Sequence, residues 1–115
     1  MRLKMNISKE NEAKIQQLQL IEQNLQQFGN QKQQIQAQLI EIESALKELE
    51  TTDKAYKIVG NIMVATDKDK LKKELEDKKK IYELKTKSIE KQEEKLKEKA
   101  KSIQDEILSS VNDKE

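Results

Sequence analysis

Histidine, cysteine and proline are absent from this 115-residue sequence, and glycine occurs only twice. Without His or Cys, the chain lacks the commonest general base and metal ligand, every thiol nucleophile and any disulfide. Acidic residues are numerous, but no Gly-rich phosphate loop accompanies them. We therefore expect a protein that is not an enzyme, with no catalytic residue, no metal site and no cofactor.

Long apolar runs are missing as well, which bears on membranes and targeting. No stretch approaches the roughly 20 apolar residues that span a bilayer, and residues 1–8 contain no apolar core of a secretory signal. The charges of the 23 basic and 22 acidic residues nearly cancel. The chain therefore has no overall positive charge of the kind that attracts nucleic acid or anionic lipid. We expect a soluble, cytoplasmic protein that binds neither nucleic acid nor membrane.

Apolar material for a conventional core is scarce. Hydrophobic residues make up 34% of the chain, aromatic residues 3% and charged residues 39%, which raises disorder as the first alternative. The net charge of only +1, the absence of proline and the regular spacing of the apolar residues argue against disorder. The composition is typical of long helices rich in Glu, Lys, Gln and Leu.

In the first half of the chain, one series of positions recurs at alternating steps of three and four. The series is Leu18, Ile21, Leu25, Phe28, Lys32, Ile35, Leu39, Ile42, Leu46 and Leu49. This spacing predicts the narrow seam of a coiled coil, in which Lys32 is the one polar residue. Ser8, followed by Glu10 and Glu12, predicts the helix start. The predicted coiled-coil helix covers residues 8–52, and its part from Ser8 to Glu50 would be roughly 65 Å long at about 1.5 Å per residue.

A second helix is predicted over residues 67–112, where Thr66 to Asp69 supplies a new start signal. Its apolar residues are Leu71, Leu75, Ile81, Tyr82, Leu84, Ile89, Leu96, Ala100, Ile103, Ile107 and Val111. This seam is weaker than the first, and we expect Lys85 and Gln92 to intrude into it. If residue numbers that face each other sum to about 120, both seams are in phase. The sequence therefore predicts one mainly helical domain, 1–115, built on an antiparallel two-helix coiled coil.

Residues 55–66 break the helical pattern and predict a β-hairpin. Two short runs rich in β-branched residues flank Gly60-Asn61, a dipeptide that tolerates the positive φ of a tight turn. If Val59 pairs with Ile62, alternation gives the strands two faces. One face carries Tyr56, Ile58, Met63 and Ala65, and the other carries Lys57, Val59, Ile62 and Val64.

Both faces of the predicted hairpin are mostly apolar. An isolated two-stranded hairpin is marginal in water, and its exposed edges invite pairing with other strands. We therefore predict an oligomerisation element that joins a larger sheet. Its residues are Tyr56, Ile58, Val59, Gly60, Ile62, Met63 and Val64. Lys57, the one charged residue on either face, is expected at a rim or in an ion pair.

Where the outer ends of the two helices meet, apolar residues outnumber the positions of a two-stranded seam. We call these nine residues the terminal set. They are Ile7, Ile15, Leu18, Leu20, Ile21, Ile103, Ile107, Leu108 and Val111. Adjacent helical residues such as Leu20 and Ile21 cannot both point inward. Ordinary scattered exposure is one interpretation, and a clustered binding surface is the other.

The stretch Tyr56 to Val64, YKIVGNIMV, resembles the hairpin of archaeal β-type prefoldin subunits. Lys68 to Leu71, KDKL, and Ile89 to Glu94, IEKQEE, resemble further segments of that family. The resemblance implies a hexamer of two α-type and four β-type subunits, including other copies of this chain. In that family the hairpins form two β-barrels, and six coiled-coil arms project from them.

The same resemblance implies a function for the terminal set. Arm tips of the family hold unfolded proteins and pass them to a group II chaperonin without ATP, so we expect a co-chaperone, or holdase, that binds clients through these residues. The alternative is a structural coiled-coil spacer or adaptor in a hetero-oligomeric complex, which the regular heptads from Leu18 to Leu49 would also suit.

Overall fold

A computed structural model describes residues 8–113, with side chains as far as Val111. Helix α1 spans Lys9–Leu49, strand β1 Ala55–Val59, strand β2 Ile62–Thr66 and helix α2 Lys68–Asp113. The expected fold class is confirmed: two long helices are joined by one antiparallel β-hairpin.

Local hydrogen bonds explain where the helices begin and end. The Ser8 hydroxyl accepts a hydrogen bond from the Asn11 N–H at 3.1 Å, which is an N-cap interaction. At the other end of α1, the Thr51 hydroxyl and the Thr51 N–H both donate to the Glu48 carbonyl, each at 3.0 Å. Helix α2 begins immediately after Asp67, whose carbonyl accepts a hydrogen bond from the Leu71 N–H at 2.9 Å.

The chain divides into two compact units. One is Gln31–Ser88, which contains the hairpin, and the other is formed by the chain on either side of it. In Gln31–Ser88 the buried apolar residues are Leu39, Ile42, Leu49 and Ala55. In the other unit they are Ile21, Ile89 and Ile103. Except for Ala55, all of these occupy the predicted apolar series of the two helices.

Contacts between the helices within each unit establish their antiparallel register. Outside Gln31–Ser88, the Lys14 ammonium lies 3.3 Å from the Glu106 carboxylate, and the Asn11 amide donates to the Ser110 hydroxyl at 3.5 Å. Inside Gln31–Ser88, Lys79 lies 3.8 Å from Glu43. The residue numbers of these pairs sum to between 120 and 122, in agreement with the predicted antiparallel register.

The seam of α2 differs in detail from the expectation. Its buried and half-buried positions include Leu75, Lys79, Tyr82, Thr86, Ile89, Glu93, Leu96, Ala100, Ile103, Ile107 and Ser110. The polar residues in the seam are therefore Lys79, Thr86, Glu93 and Ser110, whereas Lys85 and Gln92 are exposed. Ile81 and Leu84 also lie off the seam, because Tyr82 takes the inward position and its close neighbours then turn away.

The hairpin has the predicted register. Val59 faces Ile62, Ile58 faces Met63, Lys57 faces Val64, Tyr56 faces Ala65, and Ala55 faces Thr66. Gly60 has a φ of 63°, in the left-handed region where a Cβ is costly and glycine is favoured.

Replacing each of the two glycines with alanine should change the free energy of unfolding in opposite directions. Gly60→Ala should lower the free energy of unfolding by about 1 kcal/mol, because its φ is positive. Gly29→Ala should raise it by about 1 kcal/mol, because Gly29 lies inside α1 and an added Cβ would meet nothing within 4 Å. Urea unfolding followed by circular dichroism measures both, and changes of the same sign would contradict this account.

Candidate functional site

The hairpin exposes nearly all of its apolar side chains. We call this the hairpin surface; its members are Tyr56, Ile58, Val59, Ile62, Met63 and Val64, with exposed fractions from 39% for Val64 to 71% for Ile58. The described chain pairs β1 only with β2, in a two-stranded sheet. Exposed strand edges beside apolar side chains are features that other strands can pair with, so the hairpin surface is the candidate assembly site.

The two faces of the hairpin are not equivalent. Lys57 is half-buried, and its ammonium lies 3.2 Å from the Glu74 carboxylate on α2. Ala55 and Thr66, at the base of the same face, are buried and half-buried. The base of this face therefore lies against its own chain, whereas Val59 and Ile62 beside the turn are exposed. Lys57 is in an ion pair, which is one of the two environments expected for it. The opposite face is exposed along its whole length.

Backbone geometry links the exposed face to the strand edges. In a hairpin with a two-residue turn, the residues that flank the turn, here Val59 and Ile62, form a hydrogen-bonded pair. Along the two strands, hydrogen-bonded pairs then alternate with pairs that are not hydrogen-bonded to each other. The N–H and C=O groups of the intervening residues point away from the partner strand. These residues are Tyr56, Ile58, Met63 and Ala65, whose side chains form the exposed face. A strand added at either edge would thus extend this face directly.

The members of the terminal set occupy different environments. Ile21 and Ile103 are buried in the seam, while Ile15, Leu18 and Ile107 are half-buried. Leu20 and Leu108 are exposed, with fractions of 58% and 60%, and Val111 is also exposed. Ile7 lies outside the described residues. Side chains available to a ligand are therefore Leu20, Leu108 and Val111, together with the outer parts of the half-buried members.

The exposed members do not form one patch. Leu20 precedes the inward residue Ile21, whereas Leu108 follows the inward residue Ile107. Because adjacent positions are about 100° apart and the helices are antiparallel, Leu20 and Leu108 project on opposite sides of the pair. Leu108 and Val111 are three residues apart and share one face of α2. The terminal set thus offers two small apolar sites.

Polar contacts hold the helices together beside these sites. Asn11 is buried at a seam position, one heptad before Leu18, and donates to Ser110 across the pair. Lys14 and Glu106 form an ion pair on the surface. Within residues 8–113, no group of side chains suited to a metal ion lies together. Over the same residues, neither helix has the length of apolar sequence required to cross a membrane.

Sequence reasoning missed a further group of exposed apolar residues, namely Ile40, Ile81 and Leu84. The apolar series predicted for α2 includes Ile81 and Leu84. A signal was present, because Ile81 is adjacent to Tyr82 and two neighbouring positions cannot both enter a narrow seam. Ile40 is similarly adjacent to the seam residue Leu39.

Comparisons with known proteins agree with this architecture. The sequence model of a family described as prefoldin subunit matches residues 12–114. Prefoldin subunit beta of Sulfurisphaera tokodaii is 44% identical over 52 residues, which is 45% of this chain and 42% of that protein. Prefoldin subunit beta of Archaeoglobus fulgidus is 41% identical over 57 residues, 50% of this chain and 49% of that protein. These alignments span a little under half the length of either relative.

A solved structure extends the likeness to nearly the whole chain. The crystal structure of the prefoldin beta subunit from Thermococcus strain KS-1 superposes with a TM-score of 0.83 at 38% sequence identity. The match covers 92% of this chain and 96% of that one. With the helix–hairpin–helix order and the exposed hairpin surface, these matches show that the chain belongs to the prefoldin subunit family.

Proposed function

We propose that this chain is a β-type subunit of an ATP-independent co-chaperone. It assembles with α-type subunits and further copies of itself through the hairpin surface, in a hexamer of two α and four β chains. It holds unfolded proteins through the exposed members of the terminal set and passes them to a group II chaperonin. The observation that carries the proposal is a hairpin with an exposed apolar face and two free edges, in a chain of this family.

The physical basis for assembly is the cost of leaving the hairpin alone. Exposed apolar area costs about 25 cal/mol per Å² relative to its burial, and the hairpin surface consists of six apolar side chains. Joining strands from several chains into a closed barrel would pair both edges and bury the face carrying Ile58 and Met63. The Lys57–Glu74 ion pair would hold the hairpin in a defined orientation on α2 while this happens.

The physical basis for holding clients is weak binding repeated over several chains. Leu108 and Val111 present a small apolar site, too limited for tight binding to one segment. Once one site of an assembly has bound a client, the other sites are present at a high effective concentration near the same client. The overall affinity of the assembly can therefore greatly exceed the affinity of any single site. Because exposed apolar segments are common to unfolded chains, such binding is broad in its choice of client.

The assembly role predicts that a charge on the hairpin surface prevents oligomer formation. Ile58→Asp should leave the helical content unchanged, because Ile58 is exposed within its own chain. It should prevent formation of a hexamer with an α-type prefoldin subunit, since an unpaired carboxylate would have to be buried. Light scattering combined with size exclusion measures the mass. Gln34→Asp, at an exposed helix position, is the control and should assemble normally. A full-mass hexamer containing Ile58→Asp would refute the role of this face.

The holding role predicts a loss of client protection without a loss of assembly. In the hexamer, the double variant Leu108→Ser and Val111→Ser should suppress aggregation of a chemically denatured protein less well than the unsubstituted chain. The reason is that each substitution removes an apolar group whose full burial is worth about 1.5–3 kcal/mol. Light scattering after dilution of the client measures the effect.

Gln104→Ser, at an exposed position on the same helix, is the matched control for the holding role. Point substitutions are preferable to truncation here, because removing the helix end past Ile103 would also remove a buried seam residue. Unchanged protection by the double variant, together with recovery of one specific folded partner, would favour the spacer or adaptor function instead.

A further inference from the structure

The hairpin surface carries one thioether among its hydrocarbon side chains. Met63 has an exposed fraction of 67%, so in the chain by itself the residue is open to small reagents in solvent. The other two methionines, Met1 and Met5, lie outside the described residues. Because the sequence contains no cysteine, no thiol competes with the methionines for an oxidant. Within residues 8–113, the hairpin surface is thus the only place where an oxidant meets sulfur.

Met63 occupies a central position on the exposed face of the hairpin. It lies directly opposite Ile58, and these two residues are not hydrogen-bonded to each other across the strands. In pairs of this kind the two side chains come closer than in hydrogen-bonded pairs. With exposed fractions of 71% and 67%, Ile58 and Met63 are the two most exposed members of the hairpin surface. A partner that covers this face therefore has to cover Met63.

A peroxide converts methionine to its sulfoxide in one step. The thioether sulfur attacks one oxygen of hydrogen peroxide, the O–O bond breaks, and the departing hydroxide takes the proton of the transferred oxygen to become water. The sulfur is oxidised by two electrons and the peroxide is reduced by two. The product is a polar side chain that thiol-dependent reductases convert back to methionine. The modification is therefore reversible.

A sulfoxide at Met63 would oppose burial of the hairpin surface. Its oxygen is a hydrogen-bond acceptor, and burial of a neutral polar group without a partner is unfavourable. The neighbouring side chains on this face are Tyr56, Ile58 and Ala65, of which only Tyr56 has a donor. The outward backbone N–H groups are required by an added strand. Water satisfies the sulfoxide in the free chain, so oxidation favours the unassembled state.

Burial has the converse effect on the sulfur. A sheet that covers the face carrying Ile58 and Met63 also excludes dissolved peroxide from that face. Oxidation is then slow for a chain that is already assembled and fast for a chain that is not. The same side chain thus responds differently to an oxidant before and after assembly.

We propose that Met63 is a redox-modification site through which a peroxide controls the entry of this chain into its assembly. Oxidation to the sulfoxide keeps the free chain from joining, assembled chains are spared, and reduction restores a competent chain. The inference rests on the proposed assembly function and adds a regulation to the hairpin surface.

The test compares the free chain with the assembled complex under the same dose of hydrogen peroxide. The free chain is oxidised, the excess peroxide is removed with catalase, and an untreated α-type prefoldin subunit is then added. Oxidation should raise the concentration at which the assembly dissociates by about tenfold or more, as measured by light scattering after size exclusion. Mass spectrometry of the tryptic peptide 58–68 reports the fraction of Met63 that has gained one oxygen atom. In the preassembled complex this fraction should stay low.

Three controls assign the effect to Met63. Met5→Leu keeps Met63 and should respond to peroxide as the unsubstituted chain does. Met63→Leu has its own dissociation concentration, and peroxide should not change that value. Treatment of the oxidised chain with methionine sulfoxide reductases for both sulfoxide epimers should restore the original dissociation concentration. Circular dichroism should show no loss of helix on oxidation, because Met63 is exposed within its own chain.

The outcomes separate this regulation from the assembly function. An unchanged dissociation concentration, for a chain whose peptide 58–68 is fully oxidised, overturns the regulation and leaves the proposed function intact. An equal response of Met63→Leu also overturns it, because the oxidation that matters then lies elsewhere. Equally fast oxidation of Met63 in the free and the assembled chain overturns it too. Failure of the untreated chain to assemble refutes the proposed function itself, and the regulation with it.

Discussion

The narrow seam between the two helices determines which apolar residues of this molecule are buried and which are exposed. Two antiparallel helices can bury only the residues that face each other, about two in every seven. In the described part of the chain, even the best-buried apolar side chains remain 6–8% exposed, and no side chain falls below 2%. Large apolar residues that lie off the seam are therefore left at the surface, and among apolar residues outside the two helices only the small Ala55 is buried in the described chain. The exposed residues Ile81 and Leu84 of α2 and the exposed members of the terminal set arise in this way.

The hairpin is the extreme case, because no described part of the chain covers the face that carries Tyr56, Ile58 and Met63. The same four residues, Tyr56, Ile58, Met63 and Ala65, supply the exposed side chains and the unpaired backbone groups of the strand edges. A neighbouring strand would therefore pair these backbone groups and extend the sheet beside this face. The Lys57–Glu74 ion pair is partly exposed, and such pairs contribute little to stability. Its contribution is geometric, since it ties β1 to α2.

Polar residues in the seam have a related effect on the helix pair. Asn11 opposite Ser110, and Lys79 beside Glu43, occupy positions that leucine would fill with more stabilisation. The amide nitrogen of Asn11 has Ser110 as its partner in this register, whereas the buried Oδ1 of Asn11 accepts no hydrogen bond from the described residues. Displacement of the helices by one turn would also leave the amide nitrogen without Ser110. These residues favour one antiparallel register at the expense of the most stable seam.

The sequence by itself determined the helices, the turn and the strand register. Each depends on short-range signals: the three-four spacing around Leu18 to Leu49, the Ser8 cap, and the conformational freedom of Gly60. Only the tertiary structure decided which of the two adjacent apolar residues Ile81 and Tyr82 faces inward. The reason is that the rotational phase of α2 is set by its contact with α1. A sequence with apolar residues at both positions is compatible with either phase until the two helices meet.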